Sequence, residues 1–244
     1  MLITRNESPA DRLIVALDVP SSQEALAIVD SLEGTARFFK VGLELFVAAG
    51  PSLVDELTRR GHRVFLDLKM DDIEETIARA VAEITRHDAT LITIQGSVAT
   101  VRAAVRGRGS SPFPKVLLVT LLSSLGEADV VAMRLVGPGT QFRSLDEYVD
   151  WRATTAIDAG CDGLIASGET VGRLRSLLGP TPMLVVPGIR PSGGTTDDHK
   201  RSLNPRQAIA AGADYLVVGR PIRNAPPSDR RGVVQSIIAD IADA

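Results

Sequence analysis

Two acids and a lysine stand where an apolar run gives way to a helical pattern, in the stretch from Phe65 to Thr76, which reads FLDLKMDDIEET. Side chains two residues apart on a strand share a face, so Asp67 and Lys69 are predicted to point the same way as Phe65. A lone ion pair inside a sheet often fails to recover the cost of removing its charges from water. The spacing therefore favours a site that uses carboxylate and ammonium groups over a purely structural pair.

A third acid, Asp72, follows Lys69 by three residues and precedes an apolar stripe at helical spacing. The helix is expected to begin at Asp72. Two interpretations stay open for this residue. It could cap its own helix, with Glu75 three residues later completing a capping box, or it could belong to the site.

The composition limits the classes of protein to consider. A chain of 244 residues with 44% hydrophobic content can bury one sizeable core, and a net charge of -3 does not attract nucleic acid or an anionic membrane. The single cysteine, Cys161, excludes an internal disulfide and a thiolate metal cluster, and we interpret it as a small core residue. No apolar run approaches the ~20 residues of a membrane span, and the first dozen residues lack a signal-peptide core. We expect a soluble, cytoplasmic protein.

Short apolar runs alternate with amphipathic ones along the chain, and eight of the short runs predict strands. These runs are LIVALDV from Leu13, ARFFKVG from Ala36, HRVFLDLKM from His62, TLITIQG from Thr90, KVLLVTLL from Lys115, CDGLIAS from Cys161, PMLVVPG from Pro182 and ADYLVVG from Ala213. The pattern predicts an α/β fold, a (β/α)8 TIM barrel formed as a single domain by residues 1–244, with a decorated loop around 123–150. An open doubly wound sheet is the alternative, although no G-x-G-x-x-G follows the first strand.

In such a barrel the active residues lie at the carboxyl ends of the strands. Charged residues close the first three predicted strands, namely Asp18, Lys40, Asp67 and Lys69. Gln95 and Ser123 close the fourth and fifth with neutral groups that suit a polar heterocycle or a sugar. Each of these residues alone is typical of a solvated strand end, so the prediction of a site rests on their convergence.

The other half of the same rim is predicted to bind an anion. PGIRPSGGTTDDHKR follows the seventh strand and GRPI follows the eighth, so glycine amides accompany Arg190 and Arg220. Barrels of this class commonly bind phosphate after strands seven and eight, where amides and a guanidinium suit a dianion. A phosphorylated small molecule is therefore the expected ligand. His199, which is surrounded by charged residues, is equally compatible with an exposed position.

These segments together resemble the bacterial type of orotidine 5′-phosphate decarboxylase. The resemblance runs through LIVALDVP, FFKVG, LDLKMDDIEET, PGIRPSGG and YLVVGRPI, which cover nearly the whole chain in order. D-x-K-x-x-D alone is shared with related sugar-phosphate barrels, and the combination with GIRP and GRPI is much more specific. The resemblance implies decarboxylation of orotidine 5′-phosphate to uridine 5′-phosphate (UMP), the last step of pyrimidine synthesis, without metal or cofactor and in a homodimer with a shared active site.

The resemblance also implies a role for each catalytic position. Lys69 would donate the proton, standing between Asp67 of its own chain and Asp72 of the partner chain. Asp18 and Lys40 would hold the ribose, and Lys40 would also belong to the array of catalytic charges.

The remaining substrate contacts follow from the same resemblance. Thr76 of the partner chain would touch the ribose, and Ser123 would meet the pyrimidine. The residues assigned to phosphate are Arg190, Gly219 and Arg220. His199 stands where the family usually has a glutamine that contacts phosphate or pyrimidine, while Asp71 and Gln95 stand where it usually has histidine.

The chemistry limits what such residues can do. Loss of CO2 from a vinylic carbon leaves a carbanion with no carbonyl in line to accept it, so stabilisation must be electrostatic. Two alternatives stay open. A Mg²⁺-dependent sugar-phosphate synthase or decarboxylase of the same barrel group usually has an acid where Lys40 stands. A non-catalytic nucleotide-phosphate sensor would not need Asp67 to face an anion.

Overall fold

The computed structural model describes residues 8–122, 124–191 and 203–244. Its eight strands are parallel, pair in sequence order and close into a barrel through the pairing of β8 with β1. The predicted (β/α)8 barrel is therefore confirmed. The open doubly wound sheet is wrong, because its first and last strands would be unpaired edges, whereas here β1 and β8 pair with each other. The strands are β1 Leu13–Ala16, β2 Phe38–Gly42, β3 Arg63–Met70, β4 Leu91–Ile94, β5 Lys115–Val119, β6 Gly163–Ile165, β7 Met183–Pro187 and β8 Tyr215–Val218.

Helices surround the barrel and connect successive strands. They are α1 Ser22–Ser31, α2 Leu43–Ala49, α3 Pro51–Arg59, α4 Glu74–Ile84, α5 Val98–Arg108, α6 Glu127–Ala132, α7 Leu145–Asp158, α8 Val171–Leu178, α9 Pro205–Ala210, α10 Arg220–Arg223 and α11 Arg230–Ala242. Short 3₁₀ helices span Pro9–Arg12 and Thr85–His87.

The connections after β2 and β5 each contain two helices. Between β2 and β3, the C-cap of α2 is Gly50, which has a positive φ of 66°, and Pro51 then opens α3. Between β5 and β6, the decorated loop predicted around 123–150 contains α6 and the first turns of α7.

Side chains alternate between two core layers, as the period of a strand requires. One layer packs between the strands and the surrounding helices. The other fills the barrel interior with Ile14, Ala16, Phe38, Phe65, Leu91, Leu117, Met183, Val185, Tyr215 and Val217. The Arg63 guanidinium lies 4.4 Å from the centre of the Phe38 ring, at the beginning of β3. The interior is thus filled with apolar side chains, and the polar side chains that follow them in register lie at the carboxyl ends of the strands.

Cys161 belongs to the outer core layer, as expected from the sequence. Its thiol is buried and lies 3.0 Å from the carbonyl oxygen of Val116. Burial raises the pKa of the thiol to about 12, so it stays protonated at neutral pH. In the described part of the chain no helix is both long and apolar enough to span a membrane.

Candidate active site

The strand that carries Asp67 and Lys69 departs from regular pairing just where these residues stand. Leu66 pairs with Ile92 and Met70 pairs with Ile94, so four steps along β3 correspond to two along β4. Lys69 lies inside this bulge with a φ of 49°, a conformation that residues other than glycine seldom adopt. The backbone is therefore distorted at the residue whose side chain the sequence singles out.

Asp67 is the centre of an alternating array of charges. Both of its carboxylate oxygens lie 2.9 Å from Lys69 Nζ, and Oδ2 lies 3.6 Å from Lys40 Nζ. Lys40 Nζ in turn donates to Asp18 Oδ1 at 2.7 Å. The side chains of Lys40 and Asp67 are 10% and 13% exposed, whereas that of Lys69 is 40% exposed. The structure thus brings together the four charges that close the first three strands, with the Lys69 ammonium at the solvent end.

The close approach of Lys40 and Asp18 requires a glycine at position 42. A Cβ atom added to Gly42 would lie 2.9 Å from Lys40 Nζ and 3.0 Å from Asp18 Oδ1. Any larger residue would push this ion pair away from its present position.

A cavity of about 690 Å³ opens at this end of the barrel. The charged side chains that line it are Asp18, Lys40, Asp67, Lys69, Arg190 and Arg220. Gly219 and Gln95 line it as well, so the predicted phosphate residues and the charge array face one space. Because cations outnumber carboxylates here, four against two, the cavity suits an anionic ligand although the whole chain has a net charge of -3.

A smaller pocket of about 310 Å³ adjoins the charge array. Lys40, Asp67 and Lys69 line it together with Ser124, Ser167 and a larger apolar set, namely Phe65, Val119, Leu121, Leu122, Ile165, Ala166, Pro187 and Val217. A flat ring could bind among the apolar side chains with one edge directed at the charges.

Asp72 and Thr76 are exposed, and neither is among the described residues that line the cavity. The expectation that a helix begins at Asp72 is wrong, because α4 begins at Glu74 and its N-cap is Ile73, whose side chain has no hydrogen-bonding group. Asp72 Oδ1 accepts instead from the adjacent backbone amide of Ile73 at 2.6 Å. Glu75 completes no capping box and pairs with Arg79 at 3.1 Å. The capping interpretation of Asp72 therefore fails.

Two predicted site residues, Ser123 and His199, lie outside the described residues. Gln95 lies at the cavity, and its Oε1 is buried and has no hydrogen-bond partner among the described residues. Asp71 lies against the backbone of Gly96, where an added Cβ would come within 2.1 Å of Asp71 Oδ1. In the part of the chain that the structure describes, no three His, Cys, Asp or Glu residues cluster in a way that could hold a metal ion.

Sequence reasoning missed two polar residues that support the site. Thr93 is fully buried, and its hydroxyl donates to Asp67 Oδ1 at 2.8 Å. Arg152 of α7 has its Nη2 atom within 2.7 Å of the Gln95 carbonyl oxygen and 3.2 Å of the Val119 carbonyl oxygen, so it joins the ends of β4 and β5. Neither residue belongs to a motif, and the available signal was only a polar residue within an apolar pattern.

A family model, curated relatives and a solved structure to which this chain is similar carry the same name. The model of the "Orotidine 5'-phosphate decarboxylase / HUMPS family" matches residues 11–237. A Rhodopseudomonas palustris protein named orotidine 5′-phosphate decarboxylase is 44% identical over 96% of each chain. One of the same name from Methylobacterium nodulans is 44% identical over 97% of this chain and 98% of the relative. The crystal structure of orotidine 5′-phosphate decarboxylase from Lactobacillus acidophilus superposes with a TM-score of 0.81 at 30% identity, covering 95% of this chain and 99% of that one.

Arg152 provides a test of how the rim is held together. Arg152→Met should lower the melting temperature by about 4–8 °C, because removing hydrogen bonds from a charged donor costs ~2 kcal/mol and each kcal/mol shifts a domain of this size by ~2–4 °C. Arg106→Met is the matched control, since Arg106 is 54% exposed and its contact with Glu75 is 3.9 Å long. Equal shifts for the two variants in a thermal unfolding experiment would contradict the bridging role of Arg152.

Proposed function

The chain belongs to the orotidine 5′-phosphate decarboxylase / HUMPS family, and on that premise we propose that it converts orotidine 5′-phosphate to UMP and CO2 in pyrimidine synthesis. The observation that carries the proposal is the array of Asp18, Lys40, Asp67 and Lys69 at the edge of a cation-rich cavity. This array places a carboxylate between two ammonium groups. Such an arrangement supplies charge and a proton donor at one point, which decarboxylation requires when no electron sink is available.

The residues that line the cavity and the adjoining pocket suit the three parts of the substrate. Arg190, Gly219 and Arg220 would hold the phosphate through guanidinium groups and a backbone amide. Asp18 and Lys40 would hold the ribose hydroxyls. The apolar pocket beside the charge array would take the pyrimidine ring, so that the ring carbon bearing the carboxylate faces Asp67 and Lys69.

The reaction then follows from the position of the charges. That ring carbon is C6 of the pyrimidine. The bond between C6 and the carboxylate carbon breaks, its electron pair stays on C6, and CO2 departs. The Lys69 ammonium stabilises the developing carbanion and transfers a proton to C6. Because Lys69 Nζ is already held 2.9 Å from Asp67, it needs little reorganisation during the reaction.

Repulsion between Asp67 and the substrate carboxylate would raise the energy of the bound substrate. Two charges ~4 Å apart interact by about 4 kcal/mol at an effective dielectric constant of ~20. Enzymes supply ~8 to 23 kcal/mol in all, so this repulsion is insufficient alone. Stabilisation by Lys69 and binding energy from the distant phosphate must provide the rest.

The position of Lys40 argues against the magnesium-dependent alternative. Its ammonium lies 2.7 Å from Asp18 and 3.6 Å from Asp67, so a cationic side chain already stands between the two carboxylates. A divalent cation bound between these carboxylates would be repelled by the positive charge of Lys40. The proposed reaction accordingly uses neither metal nor cofactor.

A non-catalytic phosphate sensor would gain nothing from Asp67, since a carboxylate that faces an anion weakens binding.

We also propose that the enzyme works as a homodimer with shared sites. Leu43, Val47 and Ile73 are 59%, 77% and 72% exposed, and they lie on the segments that follow β2 and β3. Asp72 and Thr76 are exposed beside Ile73. A two-fold contact through this apolar surface would bury it and could carry Asp72 into the site of the partner.

We place the enzyme in the cytoplasm, where the free thiol of Cys161 stays reduced.

The proposed activity predicts turnover without added metal. Purified protein should convert orotidine 5′-phosphate to UMP at the same rate with and without excess chelator, followed by the change in pyrimidine absorbance. Absence of conversion would refute the proposal. Turnover that is lost in chelator and restored by Mg²⁺ would favour the magnesium-dependent alternative.

The shared site predicts complementation between two inactive variants. Lys69→Ala and Asp72→Asn homodimers should each lose turnover by orders of magnitude. A mixed dimer would contain one complete site, with Lys69 from one chain and Asp72 from the other. Random pairing makes about half the dimers mixed, so co-refolding equal amounts should restore roughly a quarter of the parent activity. If mass spectrometry confirms mixed dimers but activity stays absent, Asp72 serves only its own chain.

A further inference from the structure

The bulge in β3 leaves the backbone amide of Lys69 without a regular strand partner, and a side chain takes that place. Between the pairs Leu66–Ile92 and Met70–Ile94, β4 offers a single residue, Thr93. Thr93 Oγ1 accepts a hydrogen bond from the Lys69 amide at 2.9 Å. One hydroxyl therefore replaces the backbone contact that the bulge removes.

The same hydroxyl also contacts Asp67. Thr93 Oγ1 donates to Asp67 Oδ1 at 2.8 Å. A hydroxyl has one hydrogen to donate, and Thr93 is fully buried, so water does not compete for it. Since the Lys69 amide can only donate, the Thr93 hydrogen must go to the Asp67 carboxylate. The direction of both hydrogen bonds is thus fixed by chemistry.

We propose that Thr93 is a positioning residue for the decarboxylation, and this inference rests on the proposed function of Asp67 and Lys69. Its hydroxyl holds the carboxylate of Asp67 in one orientation and holds the backbone of Lys69 in its positive-φ conformation. Both reacting charges are therefore placed by a neutral residue that need not touch the substrate. Its β-branched side chain has few accessible rotamers, which makes it a rigid support.

The contact acts on turnover more than on binding. In the proposed reaction Asp67 and Lys69 would meet the carboxylate and the carbon from which it leaves, whereas Arg190 and Arg220 would hold the phosphate. UMP lacks the carboxylate, so its affinity should not depend on the orientation of Asp67. Loss of the Thr93 hydroxyl should consequently lower kcat and leave the dissociation constant for UMP nearly unchanged.

The chain offers a matched control on the same strand segment. Thr90 is also buried, and its hydroxyl also accepts a hydrogen bond from a β3 amide, that of Val64 at 3.3 Å. It lies just before β4, at the opposite end of the barrel from the charge array. Thr90→Val therefore removes a threonine hydroxyl that accepts from a β3 amide, without touching Asp67 or Lys69.

The test compares Thr93→Val, Thr93→Ser and Thr90→Val with the parent in kcat, KM, UMP affinity and melting temperature. Thr93→Val, which keeps the shape and loses the hydroxyl, should lower kcat on the order of 100-fold, because small misplacements of reacting groups have effects of that size. Thr93→Ser should recover most of that loss. Thr90→Val should lower the melting temperature by less, because it loses one hydrogen bond of 3.3 Å whereas Thr93→Val loses two shorter ones, and it should leave kcat within about twofold.

The outcomes separate this inference from the proposed function. A parent that does not decarboxylate orotidine 5′-phosphate would refute the proposed function itself. An active parent with Thr93→Val within about threefold of its kcat would overturn the inference alone, because such misplacement should cost far more. An equal loss of kcat in Thr90→Val would also overturn it, since the effect would then be structural. If Thr93→Val does not fold, Thr93→Ala, which is smaller and also lacks the hydroxyl, should show the same loss of kcat.

Discussion

The site depends on one electrostatic interaction, that of the Asp67 carboxylate with the two ammonium groups beside it. A carboxylate that is 13% exposed at the end of a buried strand needs compensating charge and hydrogen bonds. Lys69 provides the charge at 2.9 Å, Lys40 adds a second cation at 3.6 Å, and Thr93 provides the hydrogen bond. These partners satisfy Asp67 in the absence of substrate. They do not remove its negative charge, which remains directed at the cavity where an anionic ligand would bind.

The barrel makes this arrangement possible by separating stability from chemistry. Apolar side chains such as Phe38, Phe65 and Tyr215 fill the interior, and helices cover the outer faces of the strands. The carboxyl ends of the strands can then carry charges that contribute little to packing. Holding these charges in place requires local departures from regular structure. These are the bulge of β3, the positive φ of Lys69 and the glycine at position 42.

The sequence predicted the fold and the position of the charges well, and the reason is periodicity. Asp18, Lys40 and Asp67 follow inward-facing apolar residues at intervals of two, so their common face could be inferred without coordinates. Thr93 could not be recognised in this way, because threonine is an ordinary strand residue and the bulge that gives it a role is not encoded in a local pattern. The start of α4 was misplaced for a similar reason: an acid before an apolar stripe is typical of a cap, yet α4 begins two residues after Asp72, at Glu74.

The negative charge of Asp67 is proposed to supply about 4 kcal/mol of the barrier reduction, and the most direct measurement of this compares kcat and UMP affinity in Asp67→Asn. The asparagine keeps the shape and can still accept the Thr93 hydrogen bond while it removes the charge. In Asp67→Asn kcat should fall roughly a thousandfold, as the loss of about 4 kcal/mol implies, with the dissociation constant for UMP changed by only a few-fold. If Asp67→Asn retains kcat within about tenfold of the parent, the Asp67 charge supplies too little of the barrier reduction and the proposed role of Asp67 is wrong.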